Sequence, residues 1–391
     1  MTTSNGKTNF MLKQANKLSQ PYKPWAEAWT IPPKYRRIRR KLLAQLKSEG
    51  WSPLHIAAFE CKLDKAPRHT LTKENFLAKN SSGETALHWA ARTAQLDKVP
   101  KDLLTVECFL IKSNIQETPM HQAAQGKAFS QLPKRMFTAK TLLAKDNRGG
   151  TVLQRAILFD ELVHIPKKLL TVENLLIKDK RGRTALHLAA QKGQLNLLPH
   201  LTIRAMLVKD NNGVTPMHEA AESQHLDQLP PHFITKTSIL TGRMTNAASD
   251  CDENTGHTVL HTAAQYGNLH QIPKEFLTLE NLQIEDAEGY NIFHHAAWAG
   301  QISLIPKIFL NEANLLKKTP SGESPFQRAV YAGTGNDLLG TDFSSESEAE
   351  IKAIAGEDWW KMNQTLLEEL KIAVPTVHCI GKTNEFVEID I

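Results

Sequence analysis

The chain reads as an all-α solenoid, short helical units stacked in one direction with a helical cap at each end. Three observations predict it. A segment of the form Thr/Ser-x-Leu-His-x-Ala-Ala recurs nine times, starting at Ser52, Thr85, Thr118, Thr151, Thr184, Thr215, Thr258, Asn291 and Ser324, with spacings of 33, 33, 33, 33, 31, 43, 33 and 33 residues. A fixed period of this size marks a stack of similar supersecondary units. A Pro stands fifteen residues after the first residue of the segment in eight successive units, and a Gly two residues before it in eight of nine. Such an array grows without splitting its core, so 391 residues need not divide into several globular domains.

The unit from Thr184 shows why each piece forms. Thr184 is an N-cap, its hydroxyl placed to accept a backbone N–H of the first turn. The next residue is Pro at Pro53, Pro119, Pro216 and Pro325, the type favoured at the first helical position. Leu186, Ala189 and Ala190 share one apolar face, and the small Ala pair lets neighbouring helices approach closely. Gly193 ends the helix, as Gly126, Gly267, Gly300 and Gly333 do elsewhere. The glycines before the caps (Gly50, Gly83, Gly149, Gly182, Gly213, Gly256, Gly289 and Gly322) mark tight turns of positive φ, with Gln116 the one departure.

TPMHQAA from Thr118, TALHLAA from Thr184 and TPMHEAA from Thr215 resemble the first helix of the ankyrin repeat. The resemblance covers about residues 50–335. It implies that His55, His88, His121, His187, His218, His261 and His294 hydrogen-bond backbone and tie one turn to the next. Gln154 and Gln327 replace His in two units, which suits hydrogen bonding and not a ligand shell.

The second half of each unit departs from the usual ankyrin pattern. Pro67, Pro100, Pro133, Pro166, Pro199, Pro230, Pro273 and Pro306 fall where a second helix would normally begin. Pro lacks an N–H and drives its predecessor towards extended geometry. Thr72, Thr105, Thr138, Thr171, Thr235, Thr278 and Asn311 follow five residues later as fresh N-caps. The second helix is therefore expected to start late, at the Pro, and to break into two short pieces. The unit from Thr184 is two residues short between Pro199 and Thr202, and the unit from Thr215 gains ten, best placed at Thr241 to Asp250. The insertion reads equally as a binding loop or a tolerated surface loop.

Charge is concentrated in the flanks. The net charge is +6, but residues 1–50 hold eleven Lys/Arg against two acids and residues 340–391 hold four Lys against eleven acids. The organisation expected is a basic segment and capping helix over 1–50, nine repeats over 51–335, and an acidic helical cap and tail over 336–391. The basic run from Lys34 to Lys47, with Tyr35, Ile38, Leu42, Leu43 and Leu46 on one stripe, reads first as the cap a solenoid end requires. The alternative is an adaptor touching nucleic acid or acidic membrane through that arm, or a nuclear-targeting signal. At the other end, Ser344 or Ser345 is expected to cap a helix, and Trp359, Met362, Leu366, Leu367 and Leu370 to form an apolar face beyond Gly356. The tail from Val374 is a weak strand candidate.

No nucleophile elbow, phosphate loop, HExxH, EF-hand or dinucleotide motif appears, so no enzyme activity, cofactor or metal is expected. Four scattered cysteines, no signal-peptide core and no run of membrane-spanning length point to the cytoplasm, with delivery to the nucleus or another cell left open. The expectation is a monomeric, non-catalytic scaffold binding another protein through its turn tips and first-helix ends. As the resemblance carries these positions over, they present Arg92, Arg148, Arg181, Arg183 and Lys192, then Tyr266, Tyr290, Trp298 and Tyr331. Exposed aromatics and arginines dominate interface energetics, and three of the five tyrosines fall here. Trp298 and Tyr331 have a second reading, as packing under the C-terminal cap.

Overall fold

The computed structural model describes residues 33–242 and 256–373. Among them the architecture is helical, with four isolated β-bridges and no strand. Nine seven-residue helices form the first layer: Pro53–Phe59, Ala86–Arg92, Pro119–Gln125, Val152–Leu158, Ala185–Gln191, Pro216–Glu222, Val259–Gln265, Ile292–Trp298 and Pro325–Tyr331. Consecutive members pack side by side down the stack.

A helix of seven residues is far too short to persist in water by itself. Here the ends are satisfied and one face is buried. His55 N–H donates to Ser52 Oγ at 3.4 Å, and the capping residues after it repeat that bond, apart from Thr184, whose hydroxyl meets the His187 ring at 2.8 Å. Ala90, Ala91, Ala123, Ala124, Ala189 and Ala190 have no solvent exposure, so adjacent helices approach to the backbone there.

The histidines act as staples between units. His88 Nδ1 accepts the Thr85 N–H at 3.1 Å while Nε2 meets the Glu117 carbonyl, in the next unit, at 3.2 Å. His55, His121, His187 and His218 make the same reach to Glu84, Gly150, Val214 and His257. Gln154 reproduces both halves, accepting from Thr151 N and donating to Arg183 O at 2.8 Å. Gln327 has no further repeat ahead of it and donates to Tyr331 Oη instead. A second set of side chains, not foreseen, clamps the other helix ends: Gln95 accepts from Leu63 N and donates to Ala58 O, and Gln131 does the same for Leu96 and Ala94.

The break after each Pro is present, with one addition. In the first repeat a 3-10 turn, Leu63–Lys65, precedes Pro67; a second, Arg68–Thr70, follows it; the helix Lys73–Leu77 then starts on its own cap, Thr72. Ala66, the residue before Pro67, sits at φ −69°, ψ 135°, the extended geometry that Pro imposes on its predecessor, and Pro67 itself follows at ψ 134° with no N–H to continue a ladder. The unit is thus one helix and three short pieces, one more than the sequence suggests. In the Thr184 repeat the two-residue deletion removes the 3-10 turn after Pro199, and His200 turns the chain at φ 57°.

Helix exits correct one glycine. The residue nine after the cap has positive φ in all nine repeats: Gly193, Gly267, Gly300 and Gly333, but also Cys61, Ala94, Lys127, Asp160 and Gln224. Gly126 lies one position earlier at φ −82°, and the left-handed residue there is Lys127. Gly126 is needed for space: a Cβ on it would stand 2.3 Å from Arg92 O and 2.5 Å from Ala91 O. At the turns, Gln116 adopts φ 61° where the other repeats use Gly. The insertion is also displaced from its expected place. Gly242 bridges Thr258 as Lys79 bridges Thr85 and Lys145 bridges Thr151, so Thr241 and Gly242 belong to the regular repeat and the extra residues follow them. Most of that segment lies outside the described residues, as does the strand candidate from Val374.

At the N-terminal end the helix Pro33–Ser48 forms as expected; Leu46 is buried and Leu42 and Leu43 pack on the core. The side chains of Tyr35 and Ile38 lie outside the described set. At the C-terminal end two helices, Glu348–Ala355 and Glu357–Ala373, meet at Gly356. Their first helix begins after Ser347, not at Ser344 or Ser345, because Ser344 and Ser347 are both drawn to the Glu312 carboxylate. Trp359 packs edge-on against Phe326 at 5.1 Å and donates to Gly335 O. Met362 is exposed instead of apolar-face; Asn363, buried and bonded to Gly340 N and Thr341 O, takes that face with Trp359, Trp360 and Leu367.

Candidate functional site

Two positions in each repeat build a continuous stripe beside the first helices. One is the residue just before the cap; the other lies four residues after it, one turn into the helix. Within a repeat the two meet: Trp89 Nε1 donates to Glu84 at 3.1 Å, Gln122 Nε2 to Glu117 at 2.5 Å, and Arg328 Nε to Glu323 at 2.9 Å. Between repeats they meet again. Arg155 Nη2 contacts Glu117 at 2.6 Å and Asp146 at 3.0 Å, Arg183 reaches Glu219 at 2.8 Å, and Arg328 lies 3.9 Å from the Tyr290 ring centre. Burial raises the pKa of Glu84 and Glu219 against these cations and donors, so the stripe holds partly desolvated charge.

The projecting turns are fixed by an aspartate five residues before the cap. Asp146 Oδ1 accepts from Arg148 N and Gly150 N, and Asp179 Oδ1 from Arg181 N and Arg183 N. Neighbouring turns are then zipped by backbone: Lys180 N–H donates to Arg148 O and Asn211 N–H to Arg181 O, both at 3.0 Å. Arg148 and Arg181 therefore have exposed side chains on tips whose main chain is held in place.

The expected site residues separate into three kinds. Arg148, Arg181 and Lys192 are exposed. Arg183 and Arg92 are half-buried, the first paired with Glu219 and Gln191, the second stacked over Trp89 at 5.3 Å. The aromatic members gather at the last three repeats. Trp298 is 58% exposed, Tyr331 69% and Tyr266 40%. Neither Trp298 nor Tyr331 is covered by the C-terminal helices. Tyr290 is half-buried, its hydroxyl 3.3 Å from Glu323. Arg328 sits between the Tyr290 and Trp298 rings, 5.6 Å from the latter, and joins residues eight apart into one aromatic–cation surface.

Sequence reading missed Arg328. Its signal was its place, four after the cap, where Arg155 also stands. Also missed was a pocket of imidazoles at the seventh and eighth repeats. His257, His261 and His295 rings lie 5.1 to 5.5 Å apart, and His295 Nε2 is 2.9 Å from Asp286 Oδ2. Burial there lowers the His261 pKa to about 4, so that ring is neutral at ordinary pH.

Comparison with known proteins agrees with the repeat geometry. Residues 163–229 match the family model described as ankyrin repeats (3 copies). No curated protein matches the chain. Among solved structures, a chain in the complex described as a predatory endopeptidase from Bdellovibrio bacteriovorus with its immunity protein is 24% identical, over 46% of this chain and 95% of that one. Its TM-score is 0.36.

Proposed function

We propose that this ankyrin-repeat protein binds another protein without catalysing a reaction, through the aromatic–cation surface of its last three repeats and the arginine-bearing turns before it. The observation that carries the reading is the sandwich of Tyr290, Arg328 and Trp298 beside exposed Tyr331. Large rings left in solvent on a rigid frame are what interface cores use, since burying them releases water at low cost in side-chain entropy. Tyr266 extends the same surface by one repeat, and Arg148, Arg181 and Lys192 supply a cationic flank. Arg92 and Arg183 contribute by holding neighbouring side chains. The unit works as a monomer in the cytoplasm in this reading; the exposed thiol of Cys61 and the buried one of Cys108, both free among the described residues, fit a reducing compartment.

Replacing Tyr266, Tyr290 and Trp298 together by Ala should abolish capture of the partner identified by pull-down from the native host, with helical circular dichroism unchanged. Retained capture removes these residues from the site. A steep fall of log affinity with log salt, lost on neutralising the basic run between Lys34 and Lys47, would instead favour nucleic acid or an acidic membrane as the ligand. Among the described residues no helix is long and apolar enough to cross a membrane.

A further inference from the structure

We propose that His257, Asp286 and His295 form a binding site for a transition-metal dication, with Zn²⁺ the best match to two imidazoles and one carboxylate. One ring nitrogen of each histidine and a carboxylate oxygen lie within 4.8 Å of one another. A tetrahedral zinc site places such ligand atoms roughly 3.4 Å apart, so closing the site needs about 1 Å of side-chain rotation.

The equivalent place in an earlier pair of repeats is occupied by a side-chain cation. His257 stands just before the cap of the seventh repeat, Asp286 five before the cap of the eighth, and His295 four after it. The same three addresses in the third and fourth repeats are Glu117, Asp146 and Arg155, where the guanidinium lies within 3.0 Å of both carboxylates. In the later pair of repeats the guanidinium is replaced by imidazole and the first carboxylate by a second imidazole, while the Asp remains. This exchange removes a built-in cation and supplies the donor set that prefers a divalent metal. Neither His257 nor His295 belongs to the repeated His series, so the packing that accounts for His55 or His88 does not account for them.

The surroundings orient the ligands. Thr262 Oγ1 is 3.3 Å from His257 Nδ1, making Nε2 the ring nitrogen a metal would engage. Asp286 Oδ1 is occupied by Glu288 N and Tyr290 N, and Oδ2 faces His295 Nε2. Three protein ligands leave a fourth position for water or a partner's side chain, next to the Tyr290 ring 6.0 Å from that of His295.

The test uses the full chain with Zn²⁺ by calorimetry and Co²⁺ by visible absorption. Expected are one ion per chain, tetrahedral cobalt bands, and a rise in melting temperature with Zn²⁺. His295→Arg, which rebuilds the pairing seen at Arg155 and so keeps the fold, and His257→Gln should each weaken binding at least tenfold. His232→Gln, remote from the cluster, should leave it unchanged. Absence of stoichiometric binding, affinity untouched by His295→Arg, or equal loss in all three variants would overturn the assignment.

Discussion

The third and fourth repeats and the seventh and eighth share a backbone and differ in what fills three of its addresses. In the earlier pair, Arg155 bridges Glu117 and Asp146 with all three side chains largely shielded from solvent. In the later pair, His295 meets Asp286 and faces His257, and beside them Tyr290 and Arg328 are half-buried while the Trp298 ring lies open. In the earlier stripe one guanidinium bridges two carboxylates and ties neighbouring repeats together. The later one carries imidazoles where the earlier carries a guanidinium, and leaves aromatic area in solvent. In the function proposed above, the same scaffolding serves stability in one half and recognition in the other, through side chains before and one turn after each cap.

Acid should strain both regions most. Each staple histidine accepts the cap N–H on Nδ1, which requires a neutral ring, and burial lowers the pKa of His88 and His121 to about 4. A folded pKa below the unfolded value of 6.5 gives stability that is complete above pH 6.5 and lost as pH falls towards 4. Repulsion from Lys79, His55 and His121 adds to the shift at His88, and Arg155 to that at His121, where Glu117 and Asp146 oppose it. Between pH 7 and pH 5 the loss should be on the order of 2 kcal/mol for each of these two groups. Changing His88 and His121 to Gln, the residue used at Gln154, should flatten the decline in the first half alone, read by hydrogen exchange at several pH values.

Arg155→Ala separates the two triads next. Removing the guanidinium leaves two partly buried carboxylates without their cation, which should cost about 3 kcal/mol in urea unfolding. The matching Arg328→Ala should cost under about 1 kcal/mol, since Glu323 is well exposed to water, yet it should loosen the Tyr290–Trp298 surface and weaken partner binding at least tenfold. If the two variants were equally destabilising, the division of labour proposed between the halves would fail.

Gly126→Ala probes the close approach between the second and third repeats. With a Cβ 2.3 Å from Arg92 O, backbone must move, at roughly 2 kcal/mol. Gly322→Ala meets no atom within 4 Å and carries only the strain of φ 87°, about 1 kcal/mol. The smallest effect on stability belongs to Tyr331→Ala, within about 0.5 kcal/mol by thermal unfolding, because its ring is mostly in solvent.

The repeating parts of the molecule were legible from one end to the other. Ser52 to Ser324 cap their helices, the Ala pairs are buried, and the fresh starts at Thr72, Thr138 and Thr171 follow the prolines as a missing N–H demands. What repeats is read easily because nine copies average out accident. The candidate site was legible as a list of positions and not as an arrangement. Tyr290 and Trp298 were singled out, but Arg328 between them was not, and Met362 was placed on a buried face that Asn363 holds. Local periodicity reports which way a residue faces on its own helix and nothing of what arrives from the next turn.

The sequence by itself determined the class of fold, the caps at which the first helices begin, and the reading of the repeated histidines as backbone partners, which His55, His88, His121, His187 and His218 bear out while His261 turns to Ile284 O. Those are local matters of capping, φ and hydrogen-bond valence, settled within a few residues or by the period. Tertiary structure alone decided that Lys127 and Gln116 take glycine's conformation, and that His257 comes to His295 across 38 positions of chain. It also decided which aromatic rings stay in water. Each of these depends on the distance between neighbouring units, which is fixed by how closely Ala and Gly let backbones approach and not by any single repeat.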